Sequence, residues 1–302
     1  MKDIRGQLAF ITGGASGAGL GQAKVLGRAG ASVVIADIRK DAVDEALGAL
    51  RADGIAAHGI VLDITDRAAY AAAADEVESV FGHPPTILSN TAGVNSFGPI
   101  ENTTFDDFDW IIGVNLGGVI NGCVTFIPRM IAAGKPGHVV TVSSVGGLMG
   151  SNMAAPYSAA KAAVINLMEG YRMGLAQYGI GVSVVCPANI RSNIAEASKL
   201  RPAQFGKSGY VENAQSSASL QSIHAFGMEP EQLAEAILTG IKDNDAYIIP
   251  YPEVREELEK HFKEIVDSVA PFESDPEGAR QRVEALANWR AARSKVFNDQ
   301  DD

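Results

Sequence analysis

The sequence predicts an α/β fold: a parallel, doubly wound sheet with helices on both faces and a helical extension at the C-terminal end. Three observations carry this prediction. Short β-branched runs alternate with longer segments of helical period along most of the chain. Several of the runs are apolar almost without interruption, as strands covered on both faces must be. A glycine-rich turn joins the first run to the first helix-like segment.

Taken in order, residues 8–12, 32–36, 56–62, 86–89, 138–143, 181–186 and 247–249 read as strands. Between them, 19–29, 40–53, 66–81, 105–133 and 157–178 read as helices, and another begins near Glu229. Two regions leave this rhythm. The stretch between Cys186 and Glu229 is rich in Ser, Ala, Gln and Gly and has no clear period. Loops that long in a compact domain are functional or disordered, and the expectation is a lid over the site at about 189–228. After Pro250 a charged tail keeps helical spacing at Val254, Leu258, Phe262, Ile265 and Val269. Asp275-Pro276 then suits an N-cap followed by proline at the first helical position, with Val283, Leu286 and Val296 expected to face inward. These helices either pack on the domain or a neighbouring subunit, or shape the substrate pocket. The expected organisation is a catalytic domain over 1–250 with 251–302 as its extension.

At 302 residues, 46% hydrophobic and 20% charged, the chain is that of an ordinary globular protein. Its net charge of -11 argues against nucleic acid or an anionic membrane as partner. The two cysteines, Cys123 and Cys186, lie in apolar stretches and read as buried, reduced thiols. The first residues show no signal-peptide pattern, and no stretch reads as the ~20 apolar residues of a membrane span. The expectation is a cytoplasmic protein. The five histidines have no ligand spacing, so a metal site is not expected.

The turn Thr12-Gly-Gly-Ala-Ser-Gly-Ala-Gly19 follows the first strand and opens the first helix. Glycines there permit a tight turn and close backbone approach to a pyrophosphate, and the helix N-terminus supplies amide donors and positive potential. This is a Rossmann-type dinucleotide signature. Asp37, at the end of the second strand, can accept both adenosine ribose hydroxyls and would repel a 2′-phosphate, which favours NAD over NADP. Ser16 adds no positive charge to offset that repulsion, and Arg39 is expected to face solvent. Asp63, at the next strand end, either contacts the adenine or caps the helix after Thr65.

Tyr157 and Lys161 stand four residues apart, so on a helix they share one face. An ammonium beside a phenol favours the phenolate and brings the tyrosine towards useful acid/base strength.

Together these motifs resemble the short-chain dehydrogenase/reductase family, from the start of the chain to about Pro250. The residues that carry the likeness are the glycine turn, Asn90-Thr-Ala-Gly93, Asn115, Ser144, Tyr157 with Lys161, and Pro187-Ala-Asn-Ile-Arg-Ser192. Thr91 and Ala188 depart from the common pattern, where asparagine and glycine are usual. The resemblance implies a catalytic set of Asn115, Ser144, Tyr157 and Lys161. Tyr157 would be the acid/base, Lys161 would tune it and bind the nicotinamide ribose, Ser144 would orient the substrate oxygen, and Asn115 would hold a water. It implies cofactor contacts at Gly13, Ser16, Gly17, Ala18, Asp37, Ile38, Asp63, Ile64, Asn90, Ala92, Gly93, Tyr157, Lys161, Pro187, Ile190 and Ser192. It also suggests a homo-oligomer, dimer or tetramer, formed through the long helices.

A narrower resemblance lies in Ser89–Pro99, 188–198, 247–256 and 275–282, which look like the Cα-dehydrogenases of bacterial lignin β-aryl ether breakdown. It implies NAD-dependent oxidation of the benzylic alcohol of guaiacylglycerol-β-guaiacyl ether to the ketone. Phe97, Met153, Phe205, Tyr210 and Phe226 are candidates for an aromatic pocket. The alternatives are a dehydrogenase of another bulky secondary alcohol, such as a steroid or polyol, and a non-catalytic NAD-binding regulator.

Overall fold

The computed structural model describes residues 1–210 and 226–298, with the side chains of Asn193, Ala195, Glu196, Phe272 and residues beyond 291 left aside. The expected lid therefore falls partly on 211–225, outside the described residues. Residues Met1–Val254 form one compact unit and Arg255–Asp302 a second.

In the first unit seven strands form one sheet in the order β3-β2-β1-β4-β5-β6-β7, every neighbouring pair parallel. The strands are β1 Leu8–Thr12, β2 Ser32–Asp37, β3 Ala57–Val61, β4 Ile87–Asn90, β5 Gly137–Val142, β6 Ile180–Val185 and β7 Tyr247–Ile248. The helices are α1 Gly17–Arg28, α2 Lys40–Ala52, α3 Arg67–Phe81, α4 Phe105–Ile112, α5 Gly118–Ala132, α6 Ala155–Leu175 and α7 Pro230–Asp243.

The uninterrupted apolar strands find their explanation here. Alternate residues of one strand enter opposite cores. Leu8 and Phe10 join Val34, Leu88 and Val139 under α3, α5 and α6, while Ala9 and Ile11 join Val33, Ile35 and Val140 under α1, α2 and α7. At two-face burial a polar residue on either side would leave an unsatisfied group, so the runs read as continuous. Helix α1 lies close against α7 because Gly21 has no side chain; a Cβ there would sit 2.6 Å from the Pro230 carbonyl oxygen.

Strand order reverses between β1, which pairs with β2 on one side, and β4 on the other. Such switch points open a crevice at the carboxyl ends of the strands, where α/β proteins bind ligands. Helices α4 and α5 run on from each other through a π-helical turn, Gly113–Gly117. The joined helix, Phe105–Ala132, is long and apolar enough by length and composition to cross a membrane, contrary to the sequence expectation, but 56% of its apolar window is buried inside the protein. It is a core helix.

The second unit holds α8 Arg255–Asp267 and α9 Pro276–Asn298. Asp275 Oδ1 accepts the Gly278 N–H at 3.1 Å, as an N-cap should. Val283 and Leu286, expected to face inward, are 65% and 46% exposed. The side chain of Val296 lies outside the described ones.

Candidate active site

A single cavity of about 840 Å³ runs along the carboxyl ends of β1, β2, β4, β5 and β6. Its inner end is the glycine turn. Gly13 and Gly17 have φ of 64° and 49°, a region that only glycine enters freely. A Cβ on Gly13 would lie 2.9 Å from Ala92 Cα, and one on Gly19 would lie 2.1 Å from the Gly13 carbonyl oxygen. The turn is thus closed against the β4 loop and against itself. Helix α1 starts at Gly17 with no acidic residue in its first turn, and Ser16 at the N-cap makes no capping bond. Its first amides and positive dipole end therefore suit a diphosphate. Thr12 Oγ1 fixes the neighbouring loop by accepting the Thr91 and Ala92 N–H groups at 2.9 and 3.1 Å.

Asp37, 7% exposed, ends β2 at the cavity edge. Arg39 does not face solvent as expected. Its Nε donates to Asp37 Oδ1 at 3.1 Å and its Nη2 to Ser16 Oγ at 2.9 Å. The carboxylate at the strand end is the nearest strong acceptor, and two residues of backbone are enough to bring the guanidinium back to it. Asp63 lines the cavity, and its Oδ1 accepts from Thr65 N–H and Oγ1 at 2.9 and 2.7 Å. The cap of α3 is Asp66, which accepts the Ala68 and Ala69 N–H groups.

Of the candidate cofactor contacts, Gly13, Ser16, Gly17, Ala18, Asp37, Ile38, Asp63, Ile64, Ala92, Gly93, Tyr157, Lys161, Pro187, Ile190 and Ser192 all border the cavity. Asn90 does not. Its Nδ2 donates to Thr141 Oγ1 at 3.2 Å, which ties β4 to β5. Thr91, which departs from the common pattern, borders the cavity, and its Oγ1 accepts from Gln22 Nε2 at 2.9 Å. Ala188 lies on the cavity wall.

The reactive end brings Ser144, Tyr157 and Lys161 together on one wall. Ser144 follows β5 and its Oγ accepts the Gly146 N–H at 3.0 Å, which orients the hydroxyl. Its donor bond to the Pro187 carbonyl is long, 3.4 Å, and so easily exchanged for another acceptor. Lys161 is buried on α6, with Nζ 5.5 Å from the Tyr157 ring centroid and donating to the Val142 carbonyl at 2.8 Å. Burial dominates both groups. It pushes the Tyr157 phenol up to about 12, with the Ser144 hydroxyl drawing it back, and pulls the Lys161 ammonium down to about 8. The sequence reading that Lys161 brings Tyr157 towards neutrality is therefore not met by these side chains alone.

Asn115 sits in the π-helical turn, fully buried and off the cavity wall. Its Oδ1 accepts the Val94 N–H at 2.9 Å and its Nδ2 donates to the Val94 carbonyl at 2.8 Å. The extra residue of the turn aims this amide at the β4 loop. A Cβ on Gly93 would lie 2.8 Å from Asn115 Oδ1 and 3.5 Å from Lys161 Nζ, so the glycine lets the three meet.

The outer end is apolar. Phe97, Met153 and Phe205 line it as expected. Tyr210 does not; its ring fills the space over Gly98 and its hydroxyl pairs with Thr103 Oγ1 at 2.7 Å. Phe226 is 90% exposed and away from the wall. Trp110 and Asn95 are among the lining residues that the sequence reading did not single out. Trp110, 2% exposed, forms the floor, and its place in α4 looked like ordinary core spacing. Asn95, 4% exposed, borders the cavity while its Oδ1 accepts the Ser96 N–H at 2.8 Å. Cys123 and Cys186 are free and buried, each thiol pushed up to about 12 by burial. Among the described residues no cluster of three or more His, Cys, Asp or Glu is arranged to hold a metal.

Comparison with known proteins agrees with this geometry. The family model of the short chain dehydrogenases matches residues 7–202. A C alpha-dehydrogenase of Sphingobium sp. strain SYK-6 is 73% identical over 301 residues, covering 100% of this chain and 99% of that protein. The crystal structure of LigD in its apo form, from the same strain, superposes with a TM-score of 0.76 at 64% identity, covering 89% of this chain and 100% of that one. A short-chain dehydrogenase/reductase of Burkholderia phymatum, solved in complex with NAD, gives a TM-score of 0.84 at 29% identity, covering 90% of this chain and 98% of that one. With a switch-point crevice, a glycine turn and a Ser/Tyr/Lys wall in place, this chain belongs to the short-chain dehydrogenase family and is an alcohol oxidoreductase.

Proposed function

We propose that this enzyme oxidises the benzylic Cα alcohol of a lignin-derived β-aryl ether, such as guaiacylglycerol-β-guaiacyl ether, to the ketone with NAD. The observation that carries the substrate assignment is the full-length likeness to a protein named C alpha-dehydrogenase. The cavity supports it, since a polar reactive end opens into an apolar, aromatic outer end built from Phe97, Trp110 and Phe205.

NAD fits the residues present. The glycine turn and the start of α1 suit its diphosphate, and the buried Asp37 carboxylate suits ribose hydroxyls. When bound, NAD would supply the hydride acceptor for the carbinol carbon, and the positive charge of its oxidised form would favour the phenolate. The protein moves the proton. Ser144 turns its hydroxyl from the weakly held Pro187 carbonyl to the substrate oxygen and fixes it beside Tyr157. Tyr157 takes the hydroxyl proton on its phenol oxygen and, in reduction, returns it. Lys161, held to the Val142 carbonyl, supplies a positive charge that offsets the phenolate. Asn115 acts through position: by clamping Val94 it sets the floor on which Gly93 and Lys161 meet.

The long helices α4, α5 and α6 carry exposed apolar side chains, with Phe105 at 89%, Val124 at 62% and Met173 at 79%. A homo-oligomer formed through these helices is the assembly this reading favours. Two buried free thiols suit a reducing compartment, and the cytoplasm is the location this reading favours.

The test is turnover of the aryl ether with NAD, followed as ketone and NADH. Tyr157→Phe should lower kcat by about 10²- to 10⁴-fold while NADH still binds. No turnover of the ether, with oxidation of a steroid or polyol instead, would overturn the substrate assignment.

A further inference from the structure

The wall of the outer cavity is held by a buried ion pair that touches neither substrate space nor cofactor space. Asp107 lies in the first turn of α4, fully buried. Its Oδ2 accepts from Thr104 N–H at 3.0 Å, Thr104 Oγ1 at 2.8 Å and Gly209 N–H at 3.1 Å. Its Oδ1 takes Arg201 Nη1 at 2.7 Å, in a pair whose side chains are 7% and 0% exposed. The other two Arg201 nitrogens also donate: Nε to the Gly206 carbonyl at 3.2 Å and Nη2 to the Phe205 carbonyl at 2.8 Å. The guanidinium lies 5.2 Å from the Trp110 ring centroid.

The Arg201 contacts to Phe205, Gly206 and Trp110 end on a residue of the cavity or on its neighbour. Leu200 and Pro202, which flank Arg201 in the chain, line the cavity, as do Phe205 and Trp110. Asp107 and Arg201 themselves do not. A charge pair taken out of water is costly unless further hydrogen bonds support it, and here all three Arg201 nitrogens and both Asp107 oxygens are bonded, two of the nitrogens to carbonyls of one loop. The planar guanidinium can do this because its fork spans three acceptors in one plane, which an ammonium cannot.

We infer that Arg201, paired with Asp107, is a positioning residue for the substrate pocket: it sets the distance between the 200–206 loop and the Trp110 floor, and so selects a flat, two-ring alcohol. This rests on the aryl-ether reading above for the identity of that alcohol, though not for the device itself.

The test uses the full-length enzyme and three variants. Removing one partner, as in Arg201→Met, leaves an uncompensated buried charge and strongly destabilises the fold. The double variant Arg201→Met with Asp107→Leu removes both charges and packs apolar groups in their place, which buried pairs tolerate. Arg201→Lys keeps the charge and loses the fork. In the double variant, KM for guaiacylglycerol-β-guaiacyl ether should rise about 10-fold or more, with kcat at saturation and the Kd for NADH within ~3-fold of wild type, because ring placement is disturbed and the reacting groups are not. Arg201→Lys should fall between. A purely structural role would lower the amount of active enzyme and leave KM unchanged. An unchanged KM in a folded double variant overturns the inference, as does a collapse of kcat and NADH binding together with KM. If wild-type enzyme does not turn over the ether, it is the substrate assignment that fails, and the same KM comparison is made on the bulky alcohol it does oxidise.

Discussion

Lys161→Met should abolish the chemistry and yet strengthen the fold near neutral pH. Burial lowers the Lys161 ammonium from 10.5 to about 8. In the unfolded chain the group keeps its ordinary affinity for a proton, so at pH 7 the folded state bears a charge cost of about 3 kcal/mol. Methionine has a similar length and removes that cost. It also removes the donor to the Val142 carbonyl, at 2.8 Å, a loss of about 1–3 kcal/mol for a buried acceptor left unmet. The net at pH 7 is a gain of ~1 kcal/mol. The sign of the pH dependence follows from linkage. The folded pKa lies below the unfolded one, so between pH 8 and 10.5 the unfolded chain holds more protons and wild-type stability rises through that window. By pH 10 the charge cost has shrunk to ~1 kcal/mol, and the variant should then be the less stable of the two. Urea unfolding of both proteins at pH 7 and pH 10 reads this crossing, and kcat should fall by about 10²- to 10⁴-fold. A variant less stable than wild type by the same margin at both pH values would refute the claim that Lys161 is held against its solvation preference.

Two further outcomes are expected. Asp37→Ala should lower the ratio of NAD to NADP efficiency by about 10- to 100-fold, since it both removes a repulsive carboxylate and frees Arg39 to meet a 2′-phosphate; Asp37→Ala with Arg39→Ala should give back most of that change, and an unchanged ratio in the single variant places the discrimination elsewhere. His138 is buried, and Ser183, whose hydroxyl donates to the Asp245 carbonyl, must accept from His138 Nε2 at 2.8 Å, leaving Nδ1 bare. Burial holds this imidazole at about 3 in place of 6.5, so its contribution is complete above pH 6.5 and is lost as pH falls towards 3. Wild type should lose about 2 kcal/mol by pH 5 relative to His138→Gln, and parallel urea midpoints for the two proteins between pH 7 and 5 would contradict the neutral assignment.

Much of the frame was legible because it obeys two-face burial. Every strand expected from an apolar run is a strand, with ends shifted by one residue at most places, for instance 181–186 against Ile180–Val185. The glycine turn was legible because glycine alone enters positive φ freely, as Gly13 and Gly17 do, and Gly13 does so against the Ala92 backbone. The continuity of 105–133 was also legible, but the π-helical turn within it was not. One extra residue in a helical turn leaves apolar spacing almost intact, and that single residue is what aims Asn115 at Val94.

What escaped the sequence has a common cause: a polar side chain's partner depends on the fold, not on its neighbours in the chain. Asn90 and Asp37 both end parallel strands, yet one turns its amide into the sheet towards Thr141 and the other its carboxylate to the crevice rim. Arg39 looked solvated because nothing nearby in sequence, apart from Asp37, announces that Ser16 will close over it. Arg201 and Asp107 are 94 residues apart and sit in segments read, respectively, as a loop and a helix start. Their value lies in their being joined, since a buried charge is tolerable only when its partner is already in place. The same logic governs Lys161, with the opposite result. Its nearest bonded partner is a neutral carbonyl, at 2.8 Å, so its charge is left costly. A lysine kept at that cost is explained by an anion formed beside it during turnover, and the Tyr157 oxygen is the group on that wall able to become one.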